Sequence, residues 1–332
     1  MKNQNKISHL FLSCSDLRDR EKEILEHASK KLNFIPEVLM DRSSWWGSKE
    51  IGSFRYEGDF QGKKAVLKIQ GIKPQTSEIY MIQSFARNNK SKILRPPLLY
   101  SFLSWDNEMR YEALVLEFVE GKKVELEEFF DLREEYKKNC TVNPWIDKPS
   151  FSLAEEIKIN FEKWREASFK RFPTHLFRKP KDEKLIDNAV DLLIKSYRGV
   201  EPKFQHGHFS VNDLFKISEK EVVVLSNLYW SWKPPFYDAV FGYHWYIYNL
   251  ANLKNITPEL IEQQRNFWLS KINSLAKTYE DKELLNLAFL ERAAAGLHLD
   301  ALSVDPQSPI AEYLVNKTRE DLMELIKKQS CV

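Results

Sequence analysis

The sequence predicts an α+β chain whose strands come first and whose helices follow. Three observations carry this expectation. Between residues 35 and 121, apolar and polar residues alternate over short runs broken by turn residues, which is the period of half-buried strands. After residue 122 the apolar spacing lengthens to that of amphipathic helices. One apolar–polar–apolar segment, Phe204–Trp230, interrupts that helical half.

At 332 residues the chain is long enough for two lobes and a sizeable core. Hydrophobic residues make up 43% and charged residues 30%, as in an ordinary globular protein. Lys and Arg number 50 against 48 acidic residues, a net charge of +2. No global field favours nucleic acid or membrane, so neither is expected as a partner, and an anionic ligand must be held by local charges. Cys14, Cys140 and Cys331 are too scattered for a disulfide framework or a zinc site. No apolar run approaches the ~18 residues of a membrane span, and the N-terminal apolar patch is too short for a signal segment. A cytoplasmic location is the expectation. Glycine is scarce, 10 of 332, and none falls into GxGxxG or GxxxxGK spacing. A loop bringing backbone amides against phosphate is therefore not expected.

Taken in order, residues 7 to 32 read as a helix, with Leu10, Leu17, Ile24, Leu25 and Leu32 on a loosely helical period. Ile35–Met40 reads as a first strand and Asp41–Ser48, with Trp45 and Trp46, as a turn. Glu50–Tyr56 and Lys63–Gln70 read as a hairpin around the Gly-containing stretch 57–62. In its second strand, Ala65, Leu67 and Ile69 share one face and Val66, Lys68 and Gln70 the other. A lysine within AVLKI is costly to bury unless an anion meets it. The competing reading is an edge-strand lysine reaching out to water. Thr76 or Ser77 caps the next helix, which carries Glu78 in its first turn, where free amides favour a carboxylate. Leu98–Trp105 and Tyr111–Phe118 form a second strand pair ending in LVLEFVEG. Helices are then expected over 124–137, 153–171 and 182–197, one opening within Trp232–Val240, and others over about 258–279, 282–303 and 309–328. The basic residues between Lys163 and Lys181 are diluted by acids and read as a solvated face.

The central stretch is FQHGHFSVNDLF (Phe204–Phe215), followed by VVVLSNLYW (Val222–Trp230). It resembles the catalytic segment of the aminoglycoside phosphotransferase and choline kinase families, which share the protein-kinase-like fold. Their pattern is His-Gly-Asp, a few residues, Asn, a short strand, an apolar pair and a metal-binding Asp. Here His208 stands where the catalytic Asp is expected, Asp213 where the Asn is, and Ser226 where the metal Asp is. The resemblance extends over roughly residues 35 to 300. It implies that Lys68 holds nucleotide phosphates, that Glu78 pairs with Lys68, and that the backbone at Glu117, Phe118 and Val119 receives the adenine edge. It also implies two lobes: an N-terminal helical extension over 1–34, an N-lobe of sheet plus one helix over 35–121, and a helical C-lobe over 122–332 that contains the catalytic-loop-like segment 204–230. Its cofactors would be ATP and Mg²⁺, and its ligand a nucleotide or small molecule in the interlobe cleft. His206 would be a structural histidine, and Asp238 a carboxylate at a helix start.

The altered positions change the expected chemistry. A neutral His208 can accept a proton but lacks the fixed negative charge of an Asp beside Mg²⁺. Ser226 is a poor substitute for an anionic Mg²⁺ ligand, which leaves Asp213, Ser226 and Asn227 as the candidate metal positions. The sequence thus favours a phosphotransferase-like protein that has lost phosphoryl transfer and keeps a ligand site or serves a protein partner. On that reading neither ATP nor Mg²⁺ need be bound. The alternative is an active ATP-dependent small-molecule kinase using Lys68, Asp213 and His208 in a rewired site.

Overall fold

The strands of the first half assemble around β-branched and aromatic residues, as their alternation requires. The computed structural model describes residues 11–44, 50–74, 76–143, 152–253 and 255–330. By its internal contacts the chain divides into two compact units. The first is Met1–Ile146 with Asp213–Trp230, and the second Asp147–Asn212 with Ser231–Val332. The segment Asp213–Trp230 therefore belongs with the strand-rich half, a different division from a single break after Gly121.

The first unit opens with β1 (Phe11–Cys14), α1 (Glu21–Leu32), β2 (Phe34–Ser44), β3 (Ile51–Phe60), β4 (Lys63–Gln70) and β5 (Ile72–Pro74). It continues with α2 (Glu78–Asn88), β6 (Leu94–Arg95), β7 (Leu99–Asp106), β8 (Tyr111–Glu117), β9 (Lys122–Lys123) and α3 (Leu126–Asn139). The chain proceeds through α4 (Leu153–Arg171), α5 (Asp182–Ser196) and β10 (Lys203–His206). β11 (Leu214–Ser218), β12 (Glu221–Val224) and β13 (Trp230–Lys233) follow. It ends with α6 (Tyr237–Leu250), α7 (Pro258–Asn273), α8 (Tyr279–Ala295) and α9 (Ala311–Ser330). This is an α+β chain, an antiparallel sheet followed by a helical region, as the sequence predicts.

The main sheet has the order β2-β3-β4-β8-β7, with every neighbouring pair antiparallel. β3 and β4 are joined at Gln61 and Gly62, both with positive φ (56° and 77°), a turn whose twist matches that of the strands it joins. The hairpin is thus tighter than the expected turn over 57–62, and β3 runs on to Phe60. Gly58 lies inside β3 because a Cβ there would collide with the Ile35 carbonyl of β2.

Two early expectations are corrected. The helix over 7–32 begins only at Glu21, because the chain before it pairs as β1 with β5. The Ser15 and Leu17 amides then donate to Gly71 and Ile51 carbonyls at 2.7 and 2.9 Å. The turn over Asp41–Ser48 is strand up to Ser44; Trp45 and Trp46 lie outside the described residues. Ile24, Ala28 and Leu32 of α1, with Leu17 before it, are buried in one core with Phe54, Leu67, Ile69 and Val115.

In the second unit, α4 starts with a Ser152/Glu155 capping box and α8 with a Thr278/Asp281 capping box. The helix expected over 282–303 is α8 continued by a π-helical turn, Gly296–Asp300, and a 3₁₀ turn, Ala301–Ser303. Among the described residues no helix is long and apolar enough to cross a membrane.

Because Ile24 is fully buried in the sheet's core, Ile24→Ala should destabilise the protein by about 2–5 kcal/mol. Chemical denaturation of the two proteins measures this; a loss below about 0.5 kcal/mol would mean that α1 only decorates the sheet.

Candidate functional site

The site grows from the polar face of β4. Ala65, Leu67 and Ile69 are fully buried in the core, so alternation sends Val66, Lys68 and Gln70 to the other face. There the Ser77 side chain caps α2, accepting from the Ile79 amide at 3.2 Å, and Glu78 opens the helix. Ile79 and Ile82 pack with Leu114 and so hold α2 against the sheet. The Lys68 ammonium donates to the Glu78 carboxylate, whose residue is only 3% exposed. The pairing reading of Lys68 therefore holds over the edge-strand one.

Beside this pair sits a carboxylate that sequence reasoning does not find. Register places Glu112 of β8 opposite Gln70 of β4. Gln70 Nε2 donates to one Glu112 oxygen, and Ser77 Oγ donates to the other at 3.2 Å. Burial pushes the Glu112 carboxyl up to about 7; the Glu78 charge adds to this, while the Gln70 and Ser77 hydrogen bonds and the Lys68 charge oppose it.

Arg55 is a second residue that sequence reasoning misses. It lies opposite Lys68 in the β3–β4 register and on the same face. Its Nε donates to Asp41 Oδ1 at 3.0 Å and its Nη2 to Asp41 Oδ2, a bidentate pair between β2 and β3. Burial works against the guanidinium charge. The Asp41 hydrogen bonds outweigh it, with the charges of Asp41, Glu78 and Asp213, and hold Arg55 above its ordinary value. The signal is present in the sequence: a two-residue turn at Gln61–Gly62 sets Arg55 against Lys68, whereas a wider turn conceals it.

β11 and β12 form an antiparallel hairpin in which Leu214 faces Val224. Its open end brings Asp213 and Ser226 together. The Leu225 amide donates to the Asp213 carbonyl at 2.8 Å, and the Ser226 hydroxyl donates to Asp213 Oδ1 at 2.5 Å. Ser226 adopts the left-handed region (φ 59°, ψ 36°), which costs an L-residue roughly 1–2 kcal/mol. Asn227 is fully buried; its Nδ2 donates to the Val224 carbonyl at 2.8 Å and its Oδ1 accepts from Trp230 Nε1 at 3.1 Å. Both ends of that amide are engaged within the loop. The Tyr229 hydroxyl is pushed up, first by burial and then by the charges of Glu78 and Asp213. The two carboxylates therefore share one neighbourhood with Arg55.

Most of the remaining expected positions have partners of their own. Glu117 closes β8, and its carboxylate accepts from the Arg95 guanidinium and from the Leu98 amide at 2.8 Å. Its own amide donates to the Leu98 carbonyl at 3.0 Å, so it is already engaged. Phe118 carries the Lys64 ammonium 3.7 Å above its ring, and Val119 is half-buried just past the strand. His208 belongs to the second unit, its ring 4.6 Å from Phe241 and 5.1 Å from Trp245. His206 is fully buried, and its Nδ1 accepts the His208 amide at 3.2 Å, the structural part expected of it. Asp238 is fully buried in the first turn of α6.

These residues do not fit the carboxylate pair that would hold Mg²⁺. Ser226 is neutral and directs its proton at Asp213, Asn227 is engaged, and a guanidinium charge already acts on Asp213. Among the described residues no group of three His, Cys, Asp or Glu side chains could hold a metal ion.

Glu112 makes a pH prediction. Its folded-state value is raised, so the folded protein holds that proton more tightly than the unfolded chain does. The resulting stability is complete below about pH 4.5 and is lost as pH rises towards about 7. Glu112→Gln should therefore gain stability relative to the wild type between about pH 5 and about pH 8. Urea titrations of both proteins across that range measure the difference; parallel curves would show that Glu112 titrates normally.

No protein-family model matches the chain, and no curated protein matches it by sequence. Solved structures do. One is a thermostable mutant of the aminoglycoside phosphotransferase APH(4)-Ia in complex with ADP and hygromycin B. It has a TM-score of 0.55 and 13% identity, covering 93% of this chain and 98% of that one. The amicoumacin kinase hAmiN, in complex with AMP-PNP, Ca²⁺ and Ami, matches with a TM-score of 0.54, 13% identity and coverage of 93% and 94%. Choline kinase LicA from Streptococcus pneumoniae matches with a TM-score of 0.50, 11% identity and coverage of 92% and 99%. The chain thus has the protein-kinase-like fold of aminoglycoside phosphotransferases and of a choline kinase.

Proposed function

We propose that this is a phosphotransferase-like protein that binds a nucleotide or a related small anionic ligand at Lys68 and has lost phosphoryl transfer. The observation that carries this reading is the hydrogen bond from Ser226 to Asp213. Transfer in this fold relies on anionic ligands for Mg²⁺ and on an Asp that orients the acceptor hydroxyl. At the three corresponding positions this chain offers one carboxylate, Asp213, with a neutral hydroxyl and an imidazole at the others. The Lys68–Glu78 ion pair, by contrast, is intact. Two solved structures of the same fold contain ADP or AMP-PNP, which supports a nucleotide as the ligand.

Thermal unfolding with ATP, alone and with Mg²⁺ or Mn²⁺, tests this together with an assay for ATP turnover. A ligand that binds only the folded state adds about 2.7 kcal/mol of stability at a hundred times its dissociation constant. The expected result is a shift with ATP that Lys68→Ala abolishes, and no turnover with either metal. Metal-dependent turnover that falls on Asp213→Ala would instead establish the active-kinase alternative. No shift in any buffer would sink the ligand reading.

A further inference from the structure

The face of the sheet that carries Lys68 holds a second cation directly opposite it. Like charges facing each other across an antiparallel pair repel, so an Arg–Lys pair there costs stability unless something offsets it. Each is paired with its own carboxylate, Arg55 with Asp41 and Lys68 with Glu78. Neither pairing uses all the donors present. Arg55 gives Asp41 its Nε and Nη2 edge, and Nη1 donates to no described residue. Lys68 Nζ, with three hydrogens, donates among the described residues to Glu78 alone. Two adjacent strands therefore present spare cationic donors side by side.

The carboxylate that would keep a divalent ion in such a site is hydrogen-bonded to a neutral hydroxyl. Ser226 supplies a proton to Asp213 where a second carboxylate would supply charge. A guanidinium in the same neighbourhood makes the balance less favourable still for Mg²⁺, since a divalent ion beside Asp213 would face its repulsion. The same guanidinium suits a phosphate: with its Nε and Nη2 edge held by Asp41, its Nη1 end still offers donors to phosphate oxygens.

We infer that Arg55 and Lys68 together form a phosphate-binding site that works without a divalent metal, Arg55 supplying the positive charge such an ion would otherwise bring. This rests on the ligand-binding reading above and adds the chemistry of the ligand to it: a polyphosphate ester or inorganic polyphosphate, bound as the free anion.

Isothermal titration calorimetry of the whole chain with ATP, ADP and inorganic tripolyphosphate, in excess EDTA and then in MgCl₂, decides this. Binding in EDTA as tight as in MgCl₂, or tighter, is expected, because Mg²⁺ masks the charges that Arg55 pairs with. Tripolyphosphate binding as well as ATP would place the affinity in the phosphates; binding of ATP and ADP alone would make the ligand a nucleotide bound metal-free. Arg55→Gln should weaken binding in EDTA by about tenfold or more, and Arg55→Lys, which keeps the charge but not the fork, by less. Binding that appears only with MgCl₂, or an Arg55→Gln affinity equal to wild type, overturns the inference and leaves the ligand reading standing. No binding of any probe in either buffer overturns both. If Arg55→Gln does not fold, the wild-type comparison of EDTA with MgCl₂ still separates these outcomes.

Discussion

A nearly buried carboxylate at the start of α2 is tolerable only because one ammonium meets it. Unpaired, the Glu78 charge would cost several kcal/mol or force the group to take up a proton. Lys68 removes that cost, and in doing so it fixes how α2 meets the sheet. The apolar contacts of Ile79 and Ile82 with Leu114 supply adhesion, while the ion pair supplies position. Around it the polar face is unusually full for the middle of a sheet. Gln70, Glu112 and Ser77 form one hydrogen-bonded row, and Arg55 and Asp41 another. Such networks persist in interiors when each member has partners, and they define a single arrangement where apolar packing would allow several.

Fold and side-chain chemistry are set by different parts of this hairpin. The hairpin of β11 and β12 still delivers two side chains to its open end, because strand register and the Leu225–Asp213 backbone bond do that work whatever the side chains are. What those side chains are decides the chemistry. With serine at 226 and aspartate at 213 the two are a donor and its acceptor. A scaffold can therefore keep its shape while the charges inside it change, and likeness of shape at 13% identity speaks for the scaffold alone.

The scaffold is largely legible in the sequence. Alternation in AVLKI separates the core face from the polar face, and the Ser77 cap and its helical spacing locate α2. α4 reads correctly to its ends, since Ser152 and Glu155 mark its start chemically. The N-terminal helix reads too long because the pairing of β1 with β5 is a contact across about sixty residues, which local periodicity cannot register. Within the site, Lys68 can be read because a lysine inside an apolar strand is anomalous, and Glu78 because it offers that lysine a partner. Glu112 and Arg55 are harder, because their meaning lies in strand register: Arg55 becomes notable only once the turn is narrowed to Gln61–Gly62, and Glu112 only once Gln70 is known to lie across from it. The partners of Asn227, Val224 and Trp230, are likewise a property of the folded loop.

Neither compact unit is a continuous stretch of chain. The strand-rich one closes only when Asp213–Trp230 returns to it, long after Ile146. On the ribosome it therefore waits, with α4 and α5 already emerging, for β11 and β12 to be made before its four-stranded sheet, of order β6-β12-β11-β9, can form. Domains that fold as they are synthesised usually complete one before beginning the next. This chain interleaves them, so a fragment that stops near residue 146 lacks two strands of that sheet along with Asp213 and Ser226. No single cut yields either half intact.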